Sequence, residues 1–521
     1  MRFIPILMLS ATAALAANDC GALAKLALPA TTMTRAEVVA AGTFQPPAGR
    51  AFQNMPAFCR VAGTIKPSDD SNIQFEVWLP ASGWNGRFQG IGNGGFAGSI
   101  DYTGLAGAVA HGYVTAATDT GHAGGPADAT WALHHPEKIV DFGYRAVHLM
   151  TVNAKAILHA YYGSDASHSY FSSCSNGGRQ ALMEAQRYPE DYDGVIAGAP
   201  ANYWTHLLSN AVWDLQAMEG DGYIPPKKLP AIQAAAQAAC DSLDGVMDGL
   251  IEDPSRCHFD PSTIECKGAE AETCLTAAQV TALKKLYTGG TLAVGRKLFP
   301  GYAPGGEATP GGWVLWITGP SPDHSLMYAF GTQFYRNMLF DNPEWDYHTF
   351  HTDRDTKAAD AKFAAVLNAT SPDLSRFAAR GGRLILYHGW DDAAIAPGNT
   401  IDYYKSVRER MGARKTASFV RLFMVPGMQH CFGGAGPSSF GQFTVGGGDA
   451  GHDLDAAIER WVEKDVAPEQ VIAAKRKSDF DPKSEVLRTR PLCAWPMTAH
   501  YKGSGSIDDA ASFTCSTSAS Q

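Results

Sequence analysis

One ten-residue stretch, 171–180, constrains the fold of this chain more than any other. It reads FSSCSNGGRQ and lies between a strand-like segment at 167–170 and a helical segment at 181–187. A strand, a glycine-rich turn and a helix in this order place Ser175 on a sharp turn, with the N-terminus of the helix aimed at its hydroxyl. Ser173 stands where the usual Gly-x-Ser-x-Gly pattern has its first glycine, so a serine-rich loop with a buried cysteine remains the alternative on these residues alone.

Strand and helix patterns alternate on both sides of this turn. Strand patterns that end in polar or glycine-rich turns occur at 73–79, 87–92, 112–117, 194–198, 383–387 and 418–424. Helices are predicted at 141–160, 403–410 and 453–464, and the first and the last of these are amphipathic. This alternation predicts an α/β fold in which helices cover both faces of a parallel sheet.

The block from 203 to 380 differs in composition from the rest. It is rich in aromatic residues, glycine and proline, and strand-like alternation nearly vanishes. We therefore predict a lid domain at 203–380, inserted between the two parts of a sheet domain at 17–202 and 381–521. Most of the aromatic rings are expected to form the core of the block itself, and a few to line a pocket for a flat substrate.

The N-terminal sixteen residues are typical of a secretory signal peptide. They carry one positive charge, a short apolar run and the small-residue pattern Ala14-Leu15-Ala16, which predicts cleavage after residue 16. No other segment is apolar over the eighteen or more residues that a membrane helix needs. The formal charge of −10, without a basic run, gives no reason to expect nucleic acid or an anionic membrane as a partner. The mature chain is expected to be secreted or periplasmic.

Ten cysteines, an even number, favour five disulfides over metal ligation in an exported chain. Closeness in sequence suggests three pairs, Cys240 with Cys257, Cys266 with Cys274, and Cys493 with Cys515. Cys20 with Cys59 would tether the mature N-terminus. Cys174 and Cys431, far apart in sequence, are left over.

Three candidate catalytic residues follow predicted strands in the order Ser175, Asp392, His430. Serine, acid and histidine in this order are characteristic of one lineage of catalytic triads. A serine hydroxyl is a weak nucleophile, so an imidazole must remove its proton and a carboxylate must orient the imidazole. The backbone amides of Asn176 and of the turn Gly94-Gly95 are the candidate oxyanion donors.

These assignments have rivals in the sequence. Asp391 could replace Asp392 as the acid, and the other candidate bases are His388, His122, His134 and His135. His430 is favoured because it lies in a turn flanked by glycine and proline after a late strand. It also adjoins Cys431, as Ser175 adjoins Cys174. A disulfide between these cysteines, which requires Cα atoms within about 7 Å, would bring base and nucleophile within reach.

Four motifs resemble the tannase and feruloyl esterase family of α/β-hydrolases, which also includes hydrolases of mono(2-hydroxyethyl) terephthalate. The motifs span 174–189, 193–200, 387–392 and 430–431, and the resemblance extends over nearly the whole mature chain. It implies an α/β-hydrolase fold with a large inserted lid and a disulfide between the cysteines beside the serine and the histidine. It also implies that the acid lies two residues after Trp390, which selects Asp392 over Asp391.

The segment 240–253 concentrates carboxylates between Cys240 and Cys257. Calcium takes six to eight oxygen ligands, and the candidates here are Asp241, Asp244, Asp248 and the carbonyls of Val246 and Leu250. The spacing is not that of an EF-hand, and the residues alone fit a solvated acidic turn equally well. The resemblance implies a structural calcium ion at this loop of the lid, and no other cofactor.

The predicted function is that of a secreted serine carboxylesterase that hydrolyses small esters of aromatic acids, feruloyl or galloyl esters derived from plant polymers, through an acyl-enzyme. The same scaffold is compatible with hydrolysis of a terephthalate monoester. Arg336 could meet a substrate carboxylate, although a surface or ion-paired arginine is the simpler interpretation. A binding module without catalysis, built on a hydrolase fold, is the alternative from a different class.

Overall fold

A nine-stranded mixed sheet forms the centre of the molecule in a computed structural model of the chain. The structure describes residues 19–517 except 443–447, 480 and 482, so the predicted signal peptide lies outside the described residues. The strands are β1 (Thr31–Val39), β2 (Gly42–Phe44), β3 (Phe52–Met55), β4 (Phe58–Ile65), β5 (Ile73–Pro80), β6 (Arg87–Ile91), β7 (Val114–Thr118), β8 (His168–Cys174), β9 (Gly194–Gly198), β10 (Arg383–Gly389), β11 (Val420–Val425), β12 (Gln470–Arg476), β13 (Val486–Cys493), β14 (Thr498–Tyr501) and β15 (Phe513–Ser516).

The large sheet has the strand order β1-β4-β5-β7-β6-β8-β9-β10-β11. The strands from β7 to β11 in this order are mutually parallel, whereas β1, β4, β5 and β7 pair antiparallel. The register places Cys174 of β8 opposite Gly198 of β9, and Gly389 of β10 opposite Val425 of β11. The carboxyl ends of these strands therefore lie at one edge of the sheet, where α/β folds place their ligands.

Helices pack on both faces of the sheet. They are α1 (Tyr102–Ala110), α2 (Pro136–Val140), α3 (Ala146–Tyr162), α4 (Asn176–Arg187), α5 (Trp204–Ala217), α6 (Leu229–Cys240), α7 (Ala277–Thr288), α8 (Trp313–Trp316), α9 (Leu326–Gln333), α10 (Thr352–Leu367), α11 (Ser375–Ala379), α12 (Gly398–Met411), α13 (Ala413–Ala417) and α14 (Leu454–Lys464). Met150 of α3 and Val407 of α12 belong to one apolar cluster, and Ile458 and Trp461 of α14 belong to another. The predicted α/β class, with helices covering the sheet, is confirmed.

The segment 203–380 connects the neighbouring parallel strands β9 and β10, and it contains α5 to α11. We call it the helical insertion. Its described residues form no named strand, only isolated bridges such as that between Glu265 and Leu275. Leu283, Phe334 and Phe363 lie in one large apolar cluster that also includes Phe96 of the sheet domain. Most aromatic rings of the insertion therefore form its own core and its contact with the sheet domain.

Five disulfides join Cys20 to Cys59, Cys174 to Cys431, Cys240 to Cys257, Cys266 to Cys274, and Cys493 to Cys515. Three of them close loops of 8 to 22 residues, whereas Cys174 and Cys431 are separated by 257 residues. In the part of the chain that the structure describes, no helix combines the length and the apolar character needed to cross a membrane.

Candidate active site

Ser175 lies on the turn between β8 and α4. Its backbone has φ 67° and ψ −127°, a conformation that is uncommon for a residue with a side chain. The Ser175 amide donates a hydrogen bond to the carbonyl of Gly198 at 2.9 Å, which ties the turn to β9. Strained conformations of this kind persist where the surrounding structure holds them, and they are concentrated at functional sites.

Close packing around Ser175 requires glycine at positions 177 and 178 and leaves room for the side chain of Ser173. A Cβ atom on Gly177 would lie 1.9 Å from Ser173 Oγ, and one on Gly178 would lie 2.3 Å from the Gly198 carbonyl oxygen. The side chain of Ser173 therefore fits only because residue 177 has none. The departure from the usual motif is compensated within the same turn.

The turns after β8, β10 and β11 bring Ser175, Asp392 and His430 together. His430 Nε2 lies 2.9 Å from Ser175 Oγ, and His430 Nδ1 lies 2.8 Å from Asp392 Oδ2. The Asp392 side chain is fully buried and the His430 side chain is 10% exposed. These contacts fit a neutral imidazole that donates from Nδ1 to the carboxylate and accepts at Nε2 from the hydroxyl.

Asp392 is held in its ionised form. Burial opposes ionisation, but the contacts with His430 and His388 outweigh it and lower the pKa of Asp392 below its usual range. The backbone amides of Ala394 and Ile395 also donate to Asp392 Oδ1, at 2.8 and 2.9 Å. The carboxylate is therefore rigidly positioned to orient His430 and to stabilise an imidazolium.

His388, considered above as a rival base, contacts Asp392 instead of Ser175. Its Nε2 is 3.1 Å from Asp392 Oδ2 and 2.9 Å from the carbonyl oxygen of Ile395. Both neighbours accept, so Nε2 carries a proton and donates to them. On the other side of the ring, Nδ1 lies 2.7 Å from Thr400 Oγ1. The sequence did not reveal this supporting contact to Asp392.

The other rivals occupy different surroundings. Asp391 is buried, and burial with the nearby charge of Glu307 raises its pKa to about 8, which favours the neutral acid. His122 is buried against Trp131, and desolvation lowers its pKa to about 4. His134 and His135 contact carboxylates outside the triad, Asp341 and Asp70 respectively.

The disulfide between Cys174 and Cys431 lies beside Ser175 and His430, the candidate nucleophile and base. Its Cα atoms are 6.0 Å apart. Cys174 ends β8 and Cys431, with φ 67°, follows His430 directly. The bridge is therefore a covalent link between the two turns that the Ser175–His430 hydrogen bond also joins.

Backbone amides border Ser175 on two sides. Among the described residues, the amides of Asn176, Gly94 and Gly95 have no hydrogen-bond acceptor, and all three residues line the cavity above Ser175. The side chain of Gln180 in α4 fixes Asn93, the residue that precedes Gly94 and Gly95. Its Oε1 accepts from the Asn93 amide at 3.0 Å and its Nε2 donates to Asn93 Oδ1 at 2.8 Å.

A cavity of about 680 Å³ opens above Ser175 and His430. One side is formed by the helical insertion, and it includes Trp204, Leu208, Trp316 and Phe330. The Trp316 ring packs edge-on against the imidazole of His430, with ring centroids 5.1 Å apart. An apolar, aromatic surface thus adjoins Ser175, and such a surface suits a flat apolar group on a ligand.

Carboxylates crowd together in the loop proposed to bind calcium. Asp241 and Asp244 are each 8% exposed, and burial with the charges of Asp248 and Asp241 raises the pKa of Asp244 to about 6. Asp248 contacts Arg488 at 3.2 Å and also contacts Arg490. The oxygen-rich donor set and the mutual repulsion of the carboxylates fit a hard divalent cation, although two arginines already share Asp248.

A second group of potential metal ligands lies on α3, on α4 and in the turn after α4. Side-chain atoms of His148, Glu184 and Asp191 lie within 4.8 Å of one another. His148 Nδ1 is 2.6 Å from Asp191 Oδ2. Burial and the neighbouring Asp191 raise the pKa of Glu184 well above its usual value. A neutral Glu184, whose buried Oε2 has no hydrogen-bond partner among the described residues, thus lies beside a paired His148 and Asp191, and the sequence pattern did not single out this group.

The sequence model of the family described as "Tannase and feruloyl esterase" matches residues 59–516. The chain belongs to the tannase and feruloyl esterase family. It is 43% identical to an uncharacterized esterase of Xanthomonas campestris pv. campestris, over 97% of this chain and 92% of the relative. It is 34% identical to a protein named probable feruloyl esterase B-2 from Aspergillus terreus, over 98% of both chains.

Solved structures agree with this membership of the tannase and feruloyl esterase family. The crystal structure of feruloyl esterase B from Aspergillus oryzae matches with a TM-score of 0.88 and 31% identity, over 95% of this chain and 99% of that one. Tannin acyl hydrolase from Aspergillus niger matches in fold, with a TM-score of 0.74 and 24% identity. The protein is therefore a carboxylic ester hydrolase of a family that acts on aromatic-acid esters, and its substrate is an ester.

Proposed function

We propose that this esterase hydrolyses feruloyl (hydroxycinnamoyl) or galloyl esters through an acyl-enzyme on Ser175. The observation that carries the proposal is the chain of hydrogen bonds from Ser175 through His430 to Asp392 at the base of an aromatic cavity. The names of the relatives from Aspergillus support an aromatic acyl group.

In the first half of the proposed reaction, His430 Nε2 takes the proton of Ser175 Oγ while Oγ bonds to the ester carbonyl carbon. The carbonyl electron pair moves to the oxygen, where the amides of Asn176 and of Gly94 or Gly95 donate hydrogen bonds. When the C–O bond to the alcohol breaks, His430 gives its proton to the leaving oxygen. Asp392 stabilises the imidazolium throughout.

The second half repeats these steps with water. His430 takes a proton from the water molecule, hydroxide bonds to the acyl carbon, and the bond to Ser175 Oγ breaks. The proton returns from His430 to Ser175, and the free aromatic acid leaves. Trp316, in contact with the His430 ring, restricts the solvent around the imidazole.

Replacement of Ser175 by alanine tests the mechanism. We expect Ser175→Ala to abolish release of free acid from methyl ferulate and methyl gallate, and to abolish the acyl adduct seen by mass spectrometry after an acid quench. Ser173→Ala removes a hydroxyl two residues away and should keep turnover. Turnover by a folded Ser175→Ala variant would refute the nucleophile, and inactive wild-type enzyme on every aromatic ester would support a binding module. Rates on feruloyl, galloyl and terephthaloyl monoesters decide the preferred acyl group.

We further propose that the helical insertion acts as a lid and that the loop 240–253 carries a structural Ca²⁺. The ligands would be Asp241, Asp244, Asp248 and the carbonyl oxygens of Val246 and Leu250. Leu250 and Ile251 pack against the backbone near Gly427 and Gly305, since added Cβ atoms there would lie 2.6 and 2.9 Å from these side chains. A cation in the loop would neutralise the crowded carboxylates and brace both the lid and the segment that leads to His430.

We also propose that the enzyme is exported. The support is the pairing of all ten cysteines in five disulfides, which is typical of oxidising compartments. N-terminal sequencing of the protein recovered from the periplasm and the medium tests this, with Ala17 as the expected first residue. Recovery only from the cytoplasm with residue 1 intact would contradict it.

A further inference from the structure

Among the described residues that line the active-site cavity, Arg50 is the basic side chain outside the triad. The other ionisable groups there are engaged with the protein. Asp101 Oδ1 accepts from the amides of Thr103 and Gly104, each at 3.0 Å, and caps α1. The hydroxyl of Tyr102 donates to Glu76 at 3.0 Å.

Arg50 has no comparable partner. Among the described residues, no hydrogen bond, ion pair or ring contact involves Arg50, an exposed residue of the loop between β2 and β3 that lines the cavity. The loop itself is braced, because Gln45 Nε2 donates to the carbonyls of Pro46 and Gly49 at 3.1 Å. A free guanidinium therefore stands on a supported loop at the cavity of a protein whose formal charge is −10. Its local field favours anions where the overall charge repels them.

Residues of two separate apolar clusters form two sides of the cavity. Trp204, Leu207 and Leu208 belong to the apolar cluster of the helical insertion. Phe52 and Tyr102 pack against a separate cluster beneath α1, and Arg50 lies on this second side. A ligand that spans the cavity past Ser175 would thus meet aromatic rings on both sides and a guanidinium on the second side alone.

We propose that Arg50 binds a carboxylate on the ester substrate, so that the enzyme prefers aromatic esters that carry one carboxylate over neutral esters of similar size. This inference rests on the proposed function. A guanidinium donates two parallel hydrogen bonds to a carboxylate, which supplies orientation as well as charge attraction. Arg336, the arginine considered from the sequence, donates instead to the Trp345 carbonyl at 2.8 Å and does not line the cavity.

The carboxylate has two possible sources, the acyl ring or the alcohol. A monoester of terephthalic acid carries it on the ring, and a feruloyl ester of a hydroxy acid carries it on the alcohol. The neutral counterpart of each compound carries a methyl ester in place of the free carboxylate. Comparing each acidic ester with its counterpart identifies the half of the substrate that Arg50 contacts.

The experiment measures kcat and KM of wild-type enzyme, Arg50→Gln and Arg50→Lys on these four esters. For one acidic ester we expect Arg50→Gln to lower kcat/KM about tenfold, mainly through KM, with a loss of less than about twofold on its neutral counterpart. Arg50→Lys keeps the charge but cannot form the paired hydrogen bonds. Its kcat/KM on that acidic ester should therefore lie between the values of the wild type and of Arg50→Gln. Added salt should weaken the wild-type preference and leave Arg50→Gln unchanged.

Arg414→Gln, on the exposed helix α13 away from the cavity, is the matched control for the change in net charge. It should not change the preference. Equal losses on acidic and neutral esters, or no loss on either acidic ester, would overturn the role of Arg50 while leaving the esterase proposal intact. Failure of the wild-type enzyme on all four esters would overturn this inference, and failure on methyl ferulate and methyl gallate as well would refute the proposed function.

Discussion

At the residue scale, the adjacent carboxyls of Asp391 and Asp392 have opposite environments. Asp392 faces His430, His388 and two backbone amides, and its pKa is lowered. Asp391 turns toward Gly306 of the helical insertion, since a Cβ atom on Gly306 would lie 2.6 Å from Asp391 Oδ2, and its pKa is raised to about 8. These surroundings favour the ionised carboxylate at Asp392 and the protonated acid at Asp391.

Substitution of these two aspartates by asparagine should therefore have different effects. We expect Asp392→Asn to lower kcat by about 10³–10⁴-fold with little change in KM, because the amide no longer stabilises the imidazolium or fixes its tautomer. Asp391→Asn should stay within about threefold of wild type, since asparagine resembles the neutral acid in shape and charge. Steady-state kinetics on one aromatic ester checks both. The reverse ranking would assign the catalytic acid to Asp391.

At the scale of elements, the disulfides differ in how close they lie to Ser175 and His430. The bridge between Cys174 and Cys431 adjoins the triad, whereas that between Cys266 and Cys274 closes a short loop in the helical insertion. Both restrict the unfolded chain, and the restriction grows with the length of the closed loop. Only the first bridge also holds the turns of Ser175 and His430 together.

Removal of each bridge by a pair of alanines separates these roles. Without Cys174 and Cys431 we expect a loss of about 2–5 kcal/mol in stability and a fall in kcat at temperatures where the variant is fully folded. Without Cys266 and Cys274 the stability loss should be smaller and kcat unchanged. Melting curves and kcat at the same temperature provide the measurement. Unchanged kcat in the first variant would show that the sheet alone positions the triad.

The acidic loop 240–253 is the second element with a testable role. If Ca²⁺ binds there, a chelator should lower the melting temperature by about 3–6 °C, because an ion that binds only the folded state stabilises it by mass action. Added Ca²⁺ should restore the value and Mg²⁺ should not, since Mg²⁺ requires a smaller octahedral site. Asp244→Asn should remove the response to the chelator. Identical melting curves for wild type with and without chelator would argue against the site.

At the scale of the whole molecule, buried acids lie where the helical insertion meets the catalytic loops. Glu307 is fully buried and accepts from the amide of Gly305, and burial raises its pKa. Asp391 lies beside it, and Gln429, the neighbour of His430, donates to the Gly306 carbonyl at 2.9 Å. The pH dependence of the free energy of unfolding therefore reports on this contact between the helical insertion and the sheet domain.

The sign of that dependence follows from the raised pKa of Asp391. Between about pH 4, the ordinary value of an aspartate, and about pH 8, the folded state holds a proton that the unfolded state has lost. The contribution of Asp391 to the free energy of unfolding is therefore complete below about pH 4 and declines as the pH rises toward about 8. We expect Asp391→Asn to flatten the decrease in melting temperature between pH 5 and pH 8. An unchanged slope would mean that Asp391 is ionised in the folded protein.

Much of the architecture was predictable from local sequence. Alternating strand and helix patterns indicated a parallel sheet, and the carboxyl ends of parallel strands meet at one edge, so turns hundreds of residues apart could be placed together. Ser175 and His430 each follow a strand and adjoin a cysteine. For that reason the nucleophile and the base could be nominated before any coordinates, and the family motifs then selected the acid.

The tertiary structure alone decided the remaining features. The sequence contained Ser173 where a glycine is usual, but only the packing of its side chain over Gly177 shows how the turn accommodates it. His388 was visible as a possible base, yet it contacts Asp392 Oδ2, the same oxygen that His430 contacts, and so supports the candidate acid. Arg50 carried no sequence signal. Periodicity reports on neighbours along one strand or helix, whereas cavity walls and pKa values depend on side chains that only the folded chain brings together.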